Sequence, residues 1–247
     1  MFQKAYTRRN ENGYQHWQLK CPAKSPGTMC YVIVTGRSLL WTLMSLGAAV
    51  AILSSLVTPR WLVGPPTTKR TVNGTELYTP SVGIYNRCTR LYGRVHCANF
   101  DINGLGTHSS IFPDCWKATL FFLALGMAVM TVTVMAALMG CCVQSIGRKS
   151  IFDLAGVGQS IAGIMYLLGM TLYAAGWGSL RVQRLCGDEA APFYLADCSL
   201  GWAFYSAVLG VILTFTSAIF SGQAEKSTAS DKVQDKMNEG KTLICLV

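Results

Sequence analysis

Residues 118–143 read ATLFFLALGMAVMTVTVMAALMGCCV, 26 positions without one charged side chain. A helix rising about 1.5 Å per residue needs roughly 20 residues to cross a hydrocarbon core about 30 Å thick, so this run is long enough to span a bilayer. Outward from it, three more runs share the property: 38–57, 154–177 and 200–221, of 20, 24 and 22 residues. All 33 charged side chains of the 247-residue chain fall outside these four segments. At 51% hydrophobic and 13% charged, the composition excludes disorder and collagen-like repeats and leaves too little polar surface for a water-soluble globule. The expected fold is a membrane protein, a four-transmembrane-helix bundle.

Charge then orients the spans. The first 37 residues carry Lys4, Arg8, Arg9, Lys20, Lys24 and Arg37 against the single acid Glu11. Arg148 and Lys149 lie between the second and third runs. Basic flanks stay in the cytosol, so both ends of a four-span chain are expected there. The first loop is basic too, with Arg60, Lys69, Arg70, Arg87, Arg90 and Arg94, but the rule weakens for loops of about 60 residues. Within it Asn73-Gly74-Thr75 is an N-glycosylation acceptor, usable only on the lumenal side. The expected organisation is a cytoplasmic tail 1–37, span 38–57, extracellular loop 58–117, span 118–143, cytoplasmic loop 144–153, span 154–177, extracellular loop 178–199, span 200–221 and cytoplasmic tail 222–247. Trp61, Trp116, Trp177 and Trp202 all fall at the expected outer ends of spans, where indoles settle between lipid and water, and so read as one ring of interfacial anchors.

On this topology Cys88, Cys97, Cys115, Cys186 and Cys198 face the oxidising side. Short closures within separate loops demand the least geometry, so Cys88–Cys97 and Cys186–Cys198 are the expected disulfides, with Cys115 left over; other connectivities stay open. Zinc is a weaker reading, because no CxxC pair is present and His16, His96 and His108 are far apart. Cys141 and Cys142 at the cytoplasmic end of the second span suit either palmitoylation or simple packing. Residues 81–91 and 95–100 read as strands around a Gly93 turn, with Cys88 and Cys97 on opposite arms: a small disulfide-stapled extracellular antiparallel sheet. Small residues recur at four-residue spacing in the spans, as in Ala136 and Gly140, Gly156 and Ser160, or Thr214, Ala218 and Gly222, which suits close packing inside one bundle.

Trp61, then Gly83-Ile84-Tyr85, then Cys88 and Cys97 resemble the Trp, Gly-Leu-Trp, Cys, Cys signature of claudin-like tetraspans, with Tyr85 where a claudin has tryptophan. From about Met29 the chain is more similar to the lipoma HMGIC fusion partner-like (LHFPL) tetraspan family, and within it to the second-member subfamily. The segments that carry this are Cys30-Tyr31-Val32-Ile33-Val34-Thr35, Cys142-Val143-Gln144-Ser145-Ile146, Lys149-Ser150-Ile151-Phe152, Ala175-Gly176-Trp177-Gly178, Asp197-Cys198-Ser199-Leu200-Gly201-Trp202, and a tail from Ser230 through Leu246. Residues 1–28 lie outside the match. The resemblance implies a claudin-like fold and a role rather than a reaction, since several members behave as auxiliary subunits of channels or receptors.

The spans agree with such a role. They hold no ionisable residue for a proton relay, a gating charge or ion coordination, and Gln159 is their one strongly polar interior side chain, expected to bond between helices. Neither the metal-dependent nor the Ser-His-Asp spacing of an enzyme is present, and no catalytic residue, metal, cofactor or nucleic-acid partner is expected. The leading expectation is a non-catalytic protein of the plasma membrane, in contact with the lipid bilayer, that assists the assembly or trafficking of a channel or receptor. The alternative is a claudin-like cell-contact or barrier protein. The tail ends in Leu243-Ile244-Cys245-Leu246-Val247; Cys245, Leu246 and Val247 suit strand addition to a PDZ scaffold, with lipid on Cys245 or no partner as the other readings.

Overall fold

The structure, a computed structural model, describes residues 32–71, 74–91, 94–100, 112–140, 145–146, 149–239 and 243–246. All described elements lie in the compact unit Tyr31–Val247. Strand β1 (Val32–Thr35) leads into helix α1 (Gly36–Val57). Six strands follow: β2 (Leu62–Val63), β3 (Thr67–Thr71), β4 (Gly74–Tyr78), β5 (Ser81–Val82), β6 (Asn86–Leu91) and β7 (Arg94–Asn99). Helix α2 (Asp114–Gly140), the short strands β8 (Ser145–Ile146) and β9 (Lys149–Ser150), and helix α3 (Ile151–Ala175) come next. A 3-10 turn (Gly176–Gly178), helix α4 (Leu180–Cys186), strand β10 (Ser199–Leu200), helices α5 (Trp202–Thr228) and α6 (Asp231–Asn238) and strand β11 (Leu243–Leu246) complete the order.

Four helical stretches are long and apolar enough to cross a membrane: Gly36–Val57, Asp114–Leu138, Ile151–Gly178 and Trp202–Thr228. α1 packs chiefly on α5, and α3 packs on both α2 and α5. The helices overrun the charge-free runs. α2 begins at Asp114 rather than 118 and its described part ends at Gly140 rather than 143; α3 begins at Ile151; α5 continues past 221 to Thr228. The apolar run measures only the part in hydrocarbon, whereas the backbone stays helical through the headgroup region, where charges are hydrated. Asp114 also suits the positive end of the α2 dipole. α1 begins at Gly36 because Thr35 and Ser38 form a reciprocal cap: the Thr35 hydroxyl accepts from Ser38 N, and the Ser38 hydroxyl accepts from Thr35 N.

Most span hydroxyls donate to carbonyls of their own helix, but a few polar side chains bond between helices. Trp41 Nε1 donates to Gln159 Oε1 at 3.2 Å, and Gln159 Nε2 donates to Ser45 Oγ at 2.7 Å, which ties α3 to α1. The Thr119 hydroxyl donates to Gly169 O at 3.0 Å and ties α2 to α3. Of the small-residue positions, Gly156 lets α3 approach α5, since a Cβ there would collide with Ser221 Oγ, whereas Gly222 faces open space.

At one end of the bundle the strands form an antiparallel sheet in the order β10-β2-β5-β6-β7, with β3 and β4 as a separate hairpin. The arm expected as one strand over 81–91 is divided. Gly83 N donates to Asn86 O at 2.8 Å, so the chain reverses at Gly83-Ile84-Tyr85 and β5 pairs with β6. Cys88 and Cys97 lie opposite each other in β6 and β7 and are joined; Cys186 and Cys198 are joined around the second loop. That loop, expected over 178–199, contains α4. The described part of the expected tail 222–247 holds the end of α5, helix α6 and strand β11. β11 pairs in parallel with β1, from Val32 with Leu243 to Thr35 with Leu246, at the bundle end opposite the sheet. Main-chain pairing across more than 200 residues leaves no local signal in the sequence.

Candidate functional site

The junction of sheet and bundle is built on helix ends. The last four carbonyls of a helix lack intrahelical partners and must find donors elsewhere. At the end of α1, Ser54 O accepts from the Thr58 amide and hydroxyl, Ser55 O accepts from Trp61 Nε1 at 2.7 Å, and Val57 O accepts from Asn86 Nδ2 at 3.0 Å. The same segment serves the start of α5, where Gly201 offers no side-chain cap: Gly201 N donates to Trp61 O at 2.8 Å and Ala203 N to Arg60 O at 3.2 Å. A Cβ on Gly201 would collide with Arg60 O, and one on Gly83 would collide with Asn86 Oδ1 and lie 3.0 Å from Pro59 Cα. Residues Trp61, Gly83 and Asn86 therefore clamp two spans and the sheet together.

Aromatic rings fill the space beneath. Tyr173 is fully buried, with its ring 4.8 Å from Trp61, 5.0 Å from Trp116 and 6.2 Å from Trp177. Phe204 packs edge-on to Trp61, while Phe100 stacks on Trp116 and leans on Phe112. The expected ring of four interfacial tryptophans is thus corrected. Trp61 and Trp116 are fully buried and Trp177 is 7% exposed; only Trp202, at 51%, faces outward. The buried indoles pack around Tyr173, and Val82, Ile84, Phe100 and Phe112 of the first loop belong to the same buried cluster.

The remaining expected residues divide. Ile84 is fully buried and Tyr85 half-buried against the same cluster, and Tyr85 O accepts from Phe100 N. Cys115 is a half-buried free thiol beside Gly176. Asn73, Cys141, Cys142 and Val247 lie outside the described residues, as do the side chains of Cys245 and Leu246, whose backbone belongs to β11. Among the described residues no three His, Cys, Asp or Glu side chains gather as a metal-binding group. Sequence reading did not single out Asn86, Phe100, Tyr173 or Arg181. Arg181 had a signal available, as the first cation beyond the charge-free run 154–177. Its guanidinium lies 4.2 Å over the centre of the Phe100 ring.

The sequence model of a family described as "Lipoma HMGIC fusion partner-like protein" matches residues 37–223, all four spans and both loops. The chain belongs to this family. Among its members, LHFPL tetraspan subfamily member 2a protein of Danio rerio is 45% identical over 230 residues, 89% of this chain and 100% of the relative. LHFPL tetraspan subfamily member 2 protein of Homo sapiens is 43% identical over 228 residues, with the same coverage. LHFPL tetraspan subfamily member 3 protein of Homo sapiens is 22% identical over 205 residues, 80% of each chain. The chain is therefore an LHFPL tetraspan membrane protein, and the clamp and aromatic cluster are the built end of its bundle.

Proposed function

We propose that this LHFPL tetraspan is a non-catalytic auxiliary subunit that assists the assembly or trafficking of a channel or receptor in the same membrane. The observation that supports this is where the polar chemistry of the spans goes. Gln159, the most polar side chain in the charge-free runs, uses both ends of its amide on α1, so it is not offered to a substrate or an ion. What the helices present outward is apolar: Leu39, Leu43, Leu46, Val50, Leu53 and Val57 recur at three- and four-residue spacing along α1 and are exposed. In this reading the chain sits in the plasma membrane with both tails cytosolic and the sheet outside, and Asn73 carries glycan. The test is purification of the tagged full chain from native membranes in mild detergent. Co-elution of another membrane protein at fixed ratio is expected; elution alone, or only with further copies of itself, refutes the reading.

A second reading, a claudin-like contact protein, has one observation in its favour. Among the described strands β7 is an edge of the five-stranded sheet and all six of its residues are exposed, which suits strand-edge contact with another chain.

A further inference from the structure

Arg181 is held in a way that asks for an anion. Its side chain lies on Phe100, whose ring is fixed by Phe112 and Trp116, and its Nε is buried without a hydrogen-bond partner, as is Ser179 Oγ two residues before it. Arg184, three residues on, shares its face of α4, and Arg87 of β6 is near enough for its charge to act on Arg181; both are exposed. Burial first, and then the like charges of Arg87 and Arg184, pull Arg181 below the ordinary arginine value. Among the described residues ion pairs join Lys117 to Asp114 and Lys236 to Glu239, and no carboxylate pairs with these three arginines, although Asp188, Glu189 and Asp197 lie in the same loop. Arg181 is half-buried while Arg87 and Arg184 are exposed, and a cation held in that way with like charges nearby is stabilised when a negative charge joins it.

The depth of the cluster identifies the anion. The candidate span ends at Gly178, and Leu180, between it and Arg181, is 56% exposed. Exposed aromatic side chains mark the same level: Phe193, whose amide donates to Ala174 O at the end of α3, Tyr194 beside it, and Trp202 and Tyr205 at the start of α5. Phe193 holds its outward position from a left-handed backbone, φ 64°. At that depth the bilayer itself supplies phosphate, and a guanidinium fork fits two phosphate oxygens at once. We propose that Arg181, with Arg87 and Arg184, forms a binding site for the headgroup phosphate of a phospholipid, on the side of the bundle bordered by Leu180. This goes beyond the auxiliary-subunit reading and does not depend on it.

The test is native mass spectrometry of the purified full chain with phosphatidylglycerol, with diacylglycerol of the same chains, and with inorganic phosphate. One phosphatidylglycerol should be retained in preference to diacylglycerol. Arg181→Gln should weaken that retention about ten-fold or more, and Arg181→Lys less, because the charge stays while the fork is lost. The double variant Arg87→Gln/Arg184→Gln keeps the Arg181–Phe100 stack, so weakened binding there reports the site rather than misfolding. Equal retention by wild type, Arg181→Gln and the double variant overturns the proposal, as does equal retention of diacylglycerol. Inorganic phosphate that displaces nothing supports the lipid; stabilisation by inorganic phosphate alone, with no lipid held, overturns it. A wild-type chain that holds no phospholipid also overturns it and transfers the cluster to an acidic protein partner.

Discussion

Replacing Trp61 with phenylalanine separates a core plug from a membrane anchor. The smaller ring keeps an aromatic face toward Tyr173 and Phe204 but removes the donor to Ser55 O, 2.7 Å away. A buried carbonyl at a helix end left without a partner costs about 1–3 kcal/mol. The missing second ring leaves a void in a fully buried site, adding about 1 kcal/mol. The sum, about 2–4 kcal/mol, corresponds to a fall in Tm of roughly 5–15 °C for a chain of this size. Trp61→Ala, which also loses both ring contacts, should cost about 3–5 kcal/mol and deplete the folded protein. The assay is loss of the monodisperse peak on heating in mild detergent, with Trp202→Phe as comparison. Trp202 is 51% exposed, and its change should stay within about 0.5 kcal/mol of wild type. If Trp202→Phe destabilises as much as Trp61→Phe, or Trp61→Phe melts with wild type, the clamp reasoning is refuted.

Gln159→Leu removes the link from α3 to both Trp41 and Ser45 and should lower stability by about 1–2 kcal/mol in the same assay; an unchanged Tm would count against the network. Gly83→Ala forces a Cβ onto Asn86 Oδ1 at the reversal between β5 and β6, and a loss of about 1–3 kcal/mol is expected, read by faster proteolysis of the first loop under non-reducing conditions. Asn73→Gln should raise gel mobility by one glycan; identical migration after glycosidase treatment and without it would show that the site is unoccupied. Non-reducing peptide mapping should find Cys88 with Cys97 and Cys186 with Cys198, and a peptide joining Cys115 to any of them would break the arrangement.

Much of the membrane architecture is legible because charge cannot be hidden in hydrocarbon. The four uncharged runs mark the spans directly, while the helices that contain them extend a turn or so into water-accessible depth, as at Asp114 and Glu225. Gln159 was readable as an interhelical group for the same reason. The tryptophans were not readable in this way. Span-end position is common to an indole facing lipid and one facing protein, and only the packing of Trp61, Trp116 and Trp177 around Tyr173 decides between them. The division of residues 81–91 at Gly83 rests on the bond from Gly83 N to Asn86 O, and the need for glycine there on Pro59 and Thr58, more than 20 residues away, which a Cβ would meet at 3.0 Å. Arg181 carries meaning only through Phe100, Arg87 and Arg184, of which two come from the other loop. The pairing of β1 with β11 has no sequence pattern that distinguishes it from a free tail.

The central claim, that this LHFPL tetraspan meets its partner within one membrane, is tested most directly by site-specific photo-crosslinking in intact cells. Probes belong at Leu46 and Val50 on the exposed face of α1 and at Val95 on the β7 edge, with two differently tagged cell populations grown in contact. The account predicts a single other membrane protein captured from Leu46 and Val50, and no chain carrying the other tag captured from Val95. Capture from Val95 of the same chain on the neighbouring cell, with only lipid captured along α1, would contradict it.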